Sequence, residues 1–139
     1  MAIDGFKKLR VYQRGFQTAM DIFRISKAWP KAEQYSLTDQ IRRSSRSVCS
    51  NIGEAWFKRR YPKHFVSKLS DAGSEAVETL VWLDFAVACE YMHESQAAQL
   101  EEQYEVVIGG LVKMMNHPEQ WCIPSSKVRE DEADYDAYA

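Results

Sequence analysis

The side chains best equipped for chemistry in this sequence are cationic. Arg42, Arg43 and Arg46 fall within five residues, and on a helix Arg42 and Arg46 stand one turn apart. A guanidinium is a planar fork of donors that matches phosphate geometry, so this grouping points to phosphate binding. The alternative is internal neutralisation. Asp39 sits where it could pair with Arg42 or Arg43, and acidic helices elsewhere could bridge to all three. A second cluster, Lys58, Arg59, Arg60, Lys63 and His64, is interleaved with Trp56, Phe57, Tyr61 and Phe65. Cations beside aromatics suit looped or single-stranded RNA, whose bases stack while its phosphates pair. A solvated loop whose aromatics turn into the core would carry the same residues.

Catalytic and metal chemistry find less support. Glu90-x-x-His93 has the spacing that di-iron bundles use, but those need two such motifs plus further glutamates. The same spacing before His64 and His117 holds Tyr61 and Met114. There is no H-E-x-x-H, phosphate loop or G-x-S-x-G. Cys49, Cys89 and Cys122 are an odd number, widely spaced, and read as reduced thiols acting as small hydrophobes. No enzyme, no metal and no cofactor is expected. Asn51 and Glu54, with Ser74 and Glu75 across from them, are expected to form an interhelical polar network, because a buried amide needs partners.

The net charge of −2 conceals a polarity. The first 68 residues hold 15 Lys+Arg against 5 Asp+Glu, residues 69–124 hold 1 against 10, and residues 125–139 hold 2 against 5. Such asymmetry hints at an electrostatic partner. Basic helices packed beside acidic ones would also account for it. Glu101, Glu102 and Glu105 read as a solvated face that would repel phosphates.

The elements that must position these residues are helices. Glycine (6) and proline (4) are scarce and 45% of residues are hydrophobic, which favours a few long elements over many short strands. Helix one is expected over about residues 6–28, with Leu9, Tyr12, Phe16, Ala19 and Phe23 as one apolar face and Val11, Ile22, Ile25 and Trp29 as a second stripe. Helix two is expected from Ser36, in a capping box with Asp39, to between Phe57 and Arg60. Its core face is Leu37, Ile41, Val48, Ile52 and Ala55, with Ser44 and Ser45 in the stripe. Helix three begins at Pro62 and runs to about Tyr91. Its second half is apolar nearly all round, which implies burial on every side and hence an oligomer. Helix four runs from Ser95 as N-cap to Asn116, with Leu100, Tyr104, Val107, Leu111 and Met114 inward. Gly109-Gly110 within it implies close helix contact. The reading is all-α: an antiparallel up-down-up-down four-helix bundle over residues 1–124, then an acidic tail, residues 125–139, expected to be disordered. No leader-like h-region and no membrane-length apolar run is present, so a cytoplasmic location is expected, with no membrane.

The run Gln40-Ile41-Arg42-Arg43-Ser44-Ser45-Arg46-Ser47-Val48-Cys49-Ser50-Asn51-Ile52-Gly53-Glu54-Ala55, with Phe6-x-x-Leu9-x-Val11 and Ala72-Gly73-Ser74-Glu75-Ala76-Val77-Glu78-Thr79, resembles the four-helix-bundle family of 23S rRNA-intervening-sequence proteins. The likeness spans about residues 6–116. Ala55 stands where that family commonly has glycine. The resemblance implies a ring-shaped homopentamer, no established enzymatic activity, and RNA as a suggested ligand. A related, strongly basic branch partners a reverse transcriptase and binds nucleic acid. Two functions follow as expectations: a homo-oligomeric scaffold that binds ribosomal or other structured RNA, or a protein-interaction module such as an accessory subunit of a reverse transcriptase.

Overall fold

The computed structural model describes residues 4–124, and every regular element among them is helical. The expectation for the tail lies outside the described residues. Four α-helices carry the fold: α1 (Arg10–Ser26), α2 (Asp39–Phe57), α3 (Pro62–Ala88) and α4 (Glu94–Asn116). Each helix packs on the next, and α4 returns to α1, closing a single core.

The first helix is shorter than its periodicity suggests. Gly5–Lys8 forms a 3-10 turn, Leu9 breaks to extended geometry at ψ 134°, and only then does α1 begin. Of its two apolar stripes the second is the better buried, although Ala19 of the first is buried too. Val11, Gly15, Thr18 and Ile22 are buried, whereas Phe16 is 51% exposed and Tyr12 and Phe23 are half-buried. A glycine and a threonine inside the Val11 stripe let α1 lie close to α2: a Cβ on Gly15 would stand 3.4 Å from Cys49 Sγ.

Helix α2 starts without the expected capping box. A π-helical turn, Gln34–Thr38, runs straight into it, so Ser36 is already inside a hydrogen-bonded turn and no side chain caps the end. Its core face is as the spacing requires: Leu37, Ile41, Val48, Ile52 and Ala55 are buried. Each fully buried aliphatic there contributes roughly 1.5–3 kcal/mol. Ser44 and Ser45 are buried in the same stripe. Ser44 Oγ lies 2.8 Å from Thr79 Oγ1, which donates to the Glu75 carbonyl at 2.9 Å. This pair fixes α2 against α3 through two satisfied hydroxyls.

Helix α3 ends in a Schellman turn. Tyr91 N–H bonds Ala86 O and Glu90 N–H bonds Val87 O, both at 2.9 Å, and Glu90 sits at φ 64°. Its outward stripe, Val77, Val81 and Phe85 at steps of four, remains exposed. Helix α4 is capped by His93 rather than Ser95, because His93 N–H reaches Gln96 Oε1 at 3.2 Å in a reciprocal capping box. Leu100, Tyr104, Val107, Leu111 and Met114 are buried as expected.

The two glycines of α4 differ. A Cβ on Gly110 would come within 2.5 Å of Val11 Cγ1, whereas one on Gly109 would meet nothing within 4 Å. Gly110→Ala therefore overpacks the α1–α4 seam. We expect it to cost about 1–3 kcal/mol in urea denaturation, with Gly109→Ala free of that penalty.

Candidate nucleic-acid interface

The outer surface of α2 gathers the first arginine cluster. With Ile41, Ser45, Val48 and Ile52 facing inward, the helical repeat turns Arg42 and Arg46 toward α1 and Arg43, Ser47 and Ser50 outward. Together with Asp39 these side chains line a shallow concavity of about 620 Å³. Arg42 is held in place. Its Nε donates to Ser26 Oγ at 2.9 Å and its Nη2 to the Phe23 carbonyl at 3.4 Å. Arginine at the C-terminal end of α1 also suits the negative end of that helix dipole.

Phe23 is the platform of this site, although its spacing in the sequence suggests a core residue. Lys27 Nζ lies 4.7 Å from its ring centroid, the Arg42 guanidinium 4.9 Å and that of Arg46 5.7 Å. The quadrupole of one ring attracts three cations. Among the described residues, no carboxylate lies within the 4.0 Å ion-pair distance of Lys27, Arg42, Arg43 or Arg46. The expected pairing of Asp39 with Arg42 or Arg43 is thus not made.

Glu75 of α3 interacts electrostatically with Arg43. Burial, then the charge of Glu78, push the Glu75 carboxyl above its ordinary pKa, and Arg43 only partly offsets them. The folded state therefore holds this proton more tightly than the unfolded chain does. That contribution to stability is complete below the unfolded pKa and is lost as pH rises through the folded one. Glu75→Gln should accordingly raise the melting temperature at neutral pH, and the gain should vanish at pH below the ordinary carboxylate range.

The residues of the second cluster are engaged in different ways. Arg59 stacks on Trp56 at 3.7 Å and donates to the Trp56 carbonyl at 2.9 Å, and its own carbonyl accepts from Ile123 N–H at 3.1 Å. It holds the end of α2 to the segment after α4. Phe65 is fully buried. Lys58 turns toward α1, Arg60 is half-buried, and Lys63 and His64 are exposed beside Tyr61. Phe57 is 79% exposed.

The polar residues between α2 and α3 meet through a different partner. Lys68 Nζ contacts Glu54 Oε2 at 2.9 Å, Asn51 Oδ1 at 3.5 Å and Asp71 Oδ2 at 3.8 Å. Asn51 also donates to the Ser47 carbonyl at 2.9 Å. The bond to Glu54 raises the Lys68 pKa. Ser74 is exposed, and no hydrogen bond joins it or Glu75 to Asn51 or Glu54 among the described residues. The register of α3 on α2 places Lys68, not Ser74, at the height of Asn51.

Among the described residues there is no group of three or more His, Cys, Asp or Glu arranged to hold a metal, and no helix long and apolar enough to cross a membrane. Burial pushes the Cys49 thiol up to about 11, so it is protonated at neutral pH.

Comparison with known proteins agrees with this architecture. No curated protein matches the chain. A crystal structure of a protein of unknown function from the S23 ribosomal protein family of Bacteroides thetaiotaomicron is similar, with a TM-score of 0.68 and 25% identity, over 76% of this chain and 95% of that one. The pattern of the family described as 23S rRNA-intervening sequence protein matches residues 7–113, which takes in all of α1, α2 and α3 and α4 as far as Lys113. The chain belongs to the family of 23S rRNA-intervening sequence proteins.

Proposed function

We propose that this protein is a non-enzymatic, homo-oligomeric scaffold that binds structured RNA on the arginine face of α2. The observation that carries the reading is the concentration of Lys27, Arg42 and Arg46 on the Phe23 ring, beside Arg43, with no carboxylate in ion-pair contact among the described residues. Like charges held this close repel, and a phosphate bridging them offsets that cost. Ser47 and Ser50 add hydroxyl donors at the same concavity. The family takes its name from 23S rRNA, which makes ribosomal RNA the first ligand to test.

The helices alternate in direction on this reading. Along α2, Ser44 pairs with Thr79 while Glu54 pairs with Lys68, so α3 descends as α2 ascends. Gly15 meets Cys49 while Gly53 meets Phe6, and Arg14 bonds Gln103 while Gly110 meets Val11. The exposed stripe Val77, Val81 and Phe85 on α3 supports self-association, and a ring, pentameric in keeping with the family likeness, would repeat the α2 cations around its circumference.

The test is fluorescence anisotropy of a labelled 23S rRNA stem-loop titrated with the protein at low and at physiological salt. We expect binding whose affinity falls steeply with salt, as counterion release requires. Absence of binding at low salt would overturn the reading, and salt-insensitive capture of a protein would favour an interaction module instead.

A further inference from the structure

A second concavity, of about 840 Å³, lies between α1 and α2, and the RNA reading leaves its interior unused. Its apolar surface is built by Phe6, Tyr12, Phe16, Met20 and Phe57. Phe6 and Tyr12 pack edge to face at 5.1 Å, and Phe16 lies 6.0 Å beyond Tyr12, making a row of rings open to solvent. Arg46, Lys58 and Lys68 rim this row, and because Lys68 is paired with Glu54 and Asp71, Arg46 and Lys58 supply its open positive charge. An aromatic floor with a positive rim fits a ligand that is acidic and carries aromatic side chains.

The sequence supplies such a ligand. Fifteen residues follow Pro124, and within them Glu130, Asp131, Glu132, Asp134 and Asp136 surround Tyr135, with Tyr138 close behind. The chain reaches this segment from the mouth of the groove. Ile123 N–H bonds the Arg59 carbonyl at 3.1 Å, one residue from the rim cation Lys58. The six residues from Pro124 to Glu130 span up to about 20 Å when extended, about the length of a four-turn helix. We propose that the segment 130–138 of the chain docks in the α1–α2 groove, with Tyr135 and Tyr138 on the aromatic row and its carboxylates on Arg46 and Lys58.

The docking has a consequence for the α2 surface, because Arg46 lines both this groove and the arginine concavity. An acidic segment held at Arg46 competes with phosphate there. That consequence rests on the RNA reading, whereas the docking itself does not.

Methyl NMR of the full chain, carbon-13 labelled at methionine, tests the docking without RNA. Met20 lines the groove, whereas Met92 and Met114 are buried in the core. In the double variant Tyr135→Ala/Tyr138→Ala the Met20 methyl resonance should move, having lost the ring currents of the two tyrosines, while Met92 and Met114 stay put. Lys58→Glu should move Met20 in the same direction by weakening the rim. A Met20 resonance unchanged in both variants would overturn the proposal. So would a Met20 shift that follows protein concentration but ignores the tyrosines, since the groove would then hold a second copy.

Discussion

Val81→Asp combined with Phe85→Asp should reduce the particle in light scattering to a single 16.1 kDa chain. Both side chains lie on the outward stripe of α3, Val81 44% and Phe85 53% exposed, in line with Val77 at 51%. A protomer gains nothing by presenting three apolar side chains to water at steps of four, and burying them against a neighbour returns about 25 cal/mol per Å². Two carboxylates placed in that contact would each have to be desolvated without a partner, which costs several kcal/mol per site. The fold of the protomer should survive, because neither side chain belongs to its core, and the helical circular dichroism should be unchanged. An unchanged mass in the variant would place the contact elsewhere. A parent mass of one chain would remove the oligomer from the account.

The second large effect concerns the arginines. Arg43→Ala with Arg46→Ala should weaken binding to the 23S rRNA stem-loop on the order of 100-fold at low salt, since each charge-assisted bond contributes about 1.5 kcal/mol or more. It should also reduce the salt slope by roughly 0.7–0.9 for each phosphate that is no longer neutralised. Arg42 is deliberately left in place. Its bonds to Ser26 and to the Phe23 carbonyl tie α1 to α2, so its removal would mix stability with binding. Lys63→Ala, an exposed cation outside the concavity, should change affinity little. Equal effects in the two variants would mean that the RNA is held by diffuse charge rather than by the α2 surface.

How much of this was legible in the sequence varies with the kind of packing involved. The number of helices and the inward faces of α2 and α4 follow from spacing alone, since Ile41, Val48 and Ile52, or Tyr104, Val107 and Leu111, leave one apolar face each. Helix α1 carries two apolar stripes, and periodicity has no means of ranking them. The small residues Gly15 and Thr18 decide it by close approach, which leaves Phe16 outside. The arginine cluster is visible as three cations in five residues, but its organiser is not. Phe23 and Lys27 become part of the site only because α1 ends beside Arg42, and no local signal encodes that register. The same holds for Lys68. Its role as the common partner of Asn51, Glu54 and Asp71 depends on how far α3 slides along α2. In the basic loop, the stacking of Arg59 on Trp56 and the bond from Ile123 N–H to the Arg59 carbonyl likewise depend on tertiary packing that sequence adjacency does not encode.

Binding of RNA on the α2 surface is tested by photo-crosslinking a 4-thiouridine-substituted 23S rRNA stem-loop to the intact protein, with the adducts mapped by mass spectrometry. Adducts are expected on peptides that contain Phe23 to Lys27 or Arg42 to Ser50, the two sides of the Phe23 platform. Adducts confined to α4, with its Glu101, Glu102 and Glu105, or no adducts at low salt, would contradict it.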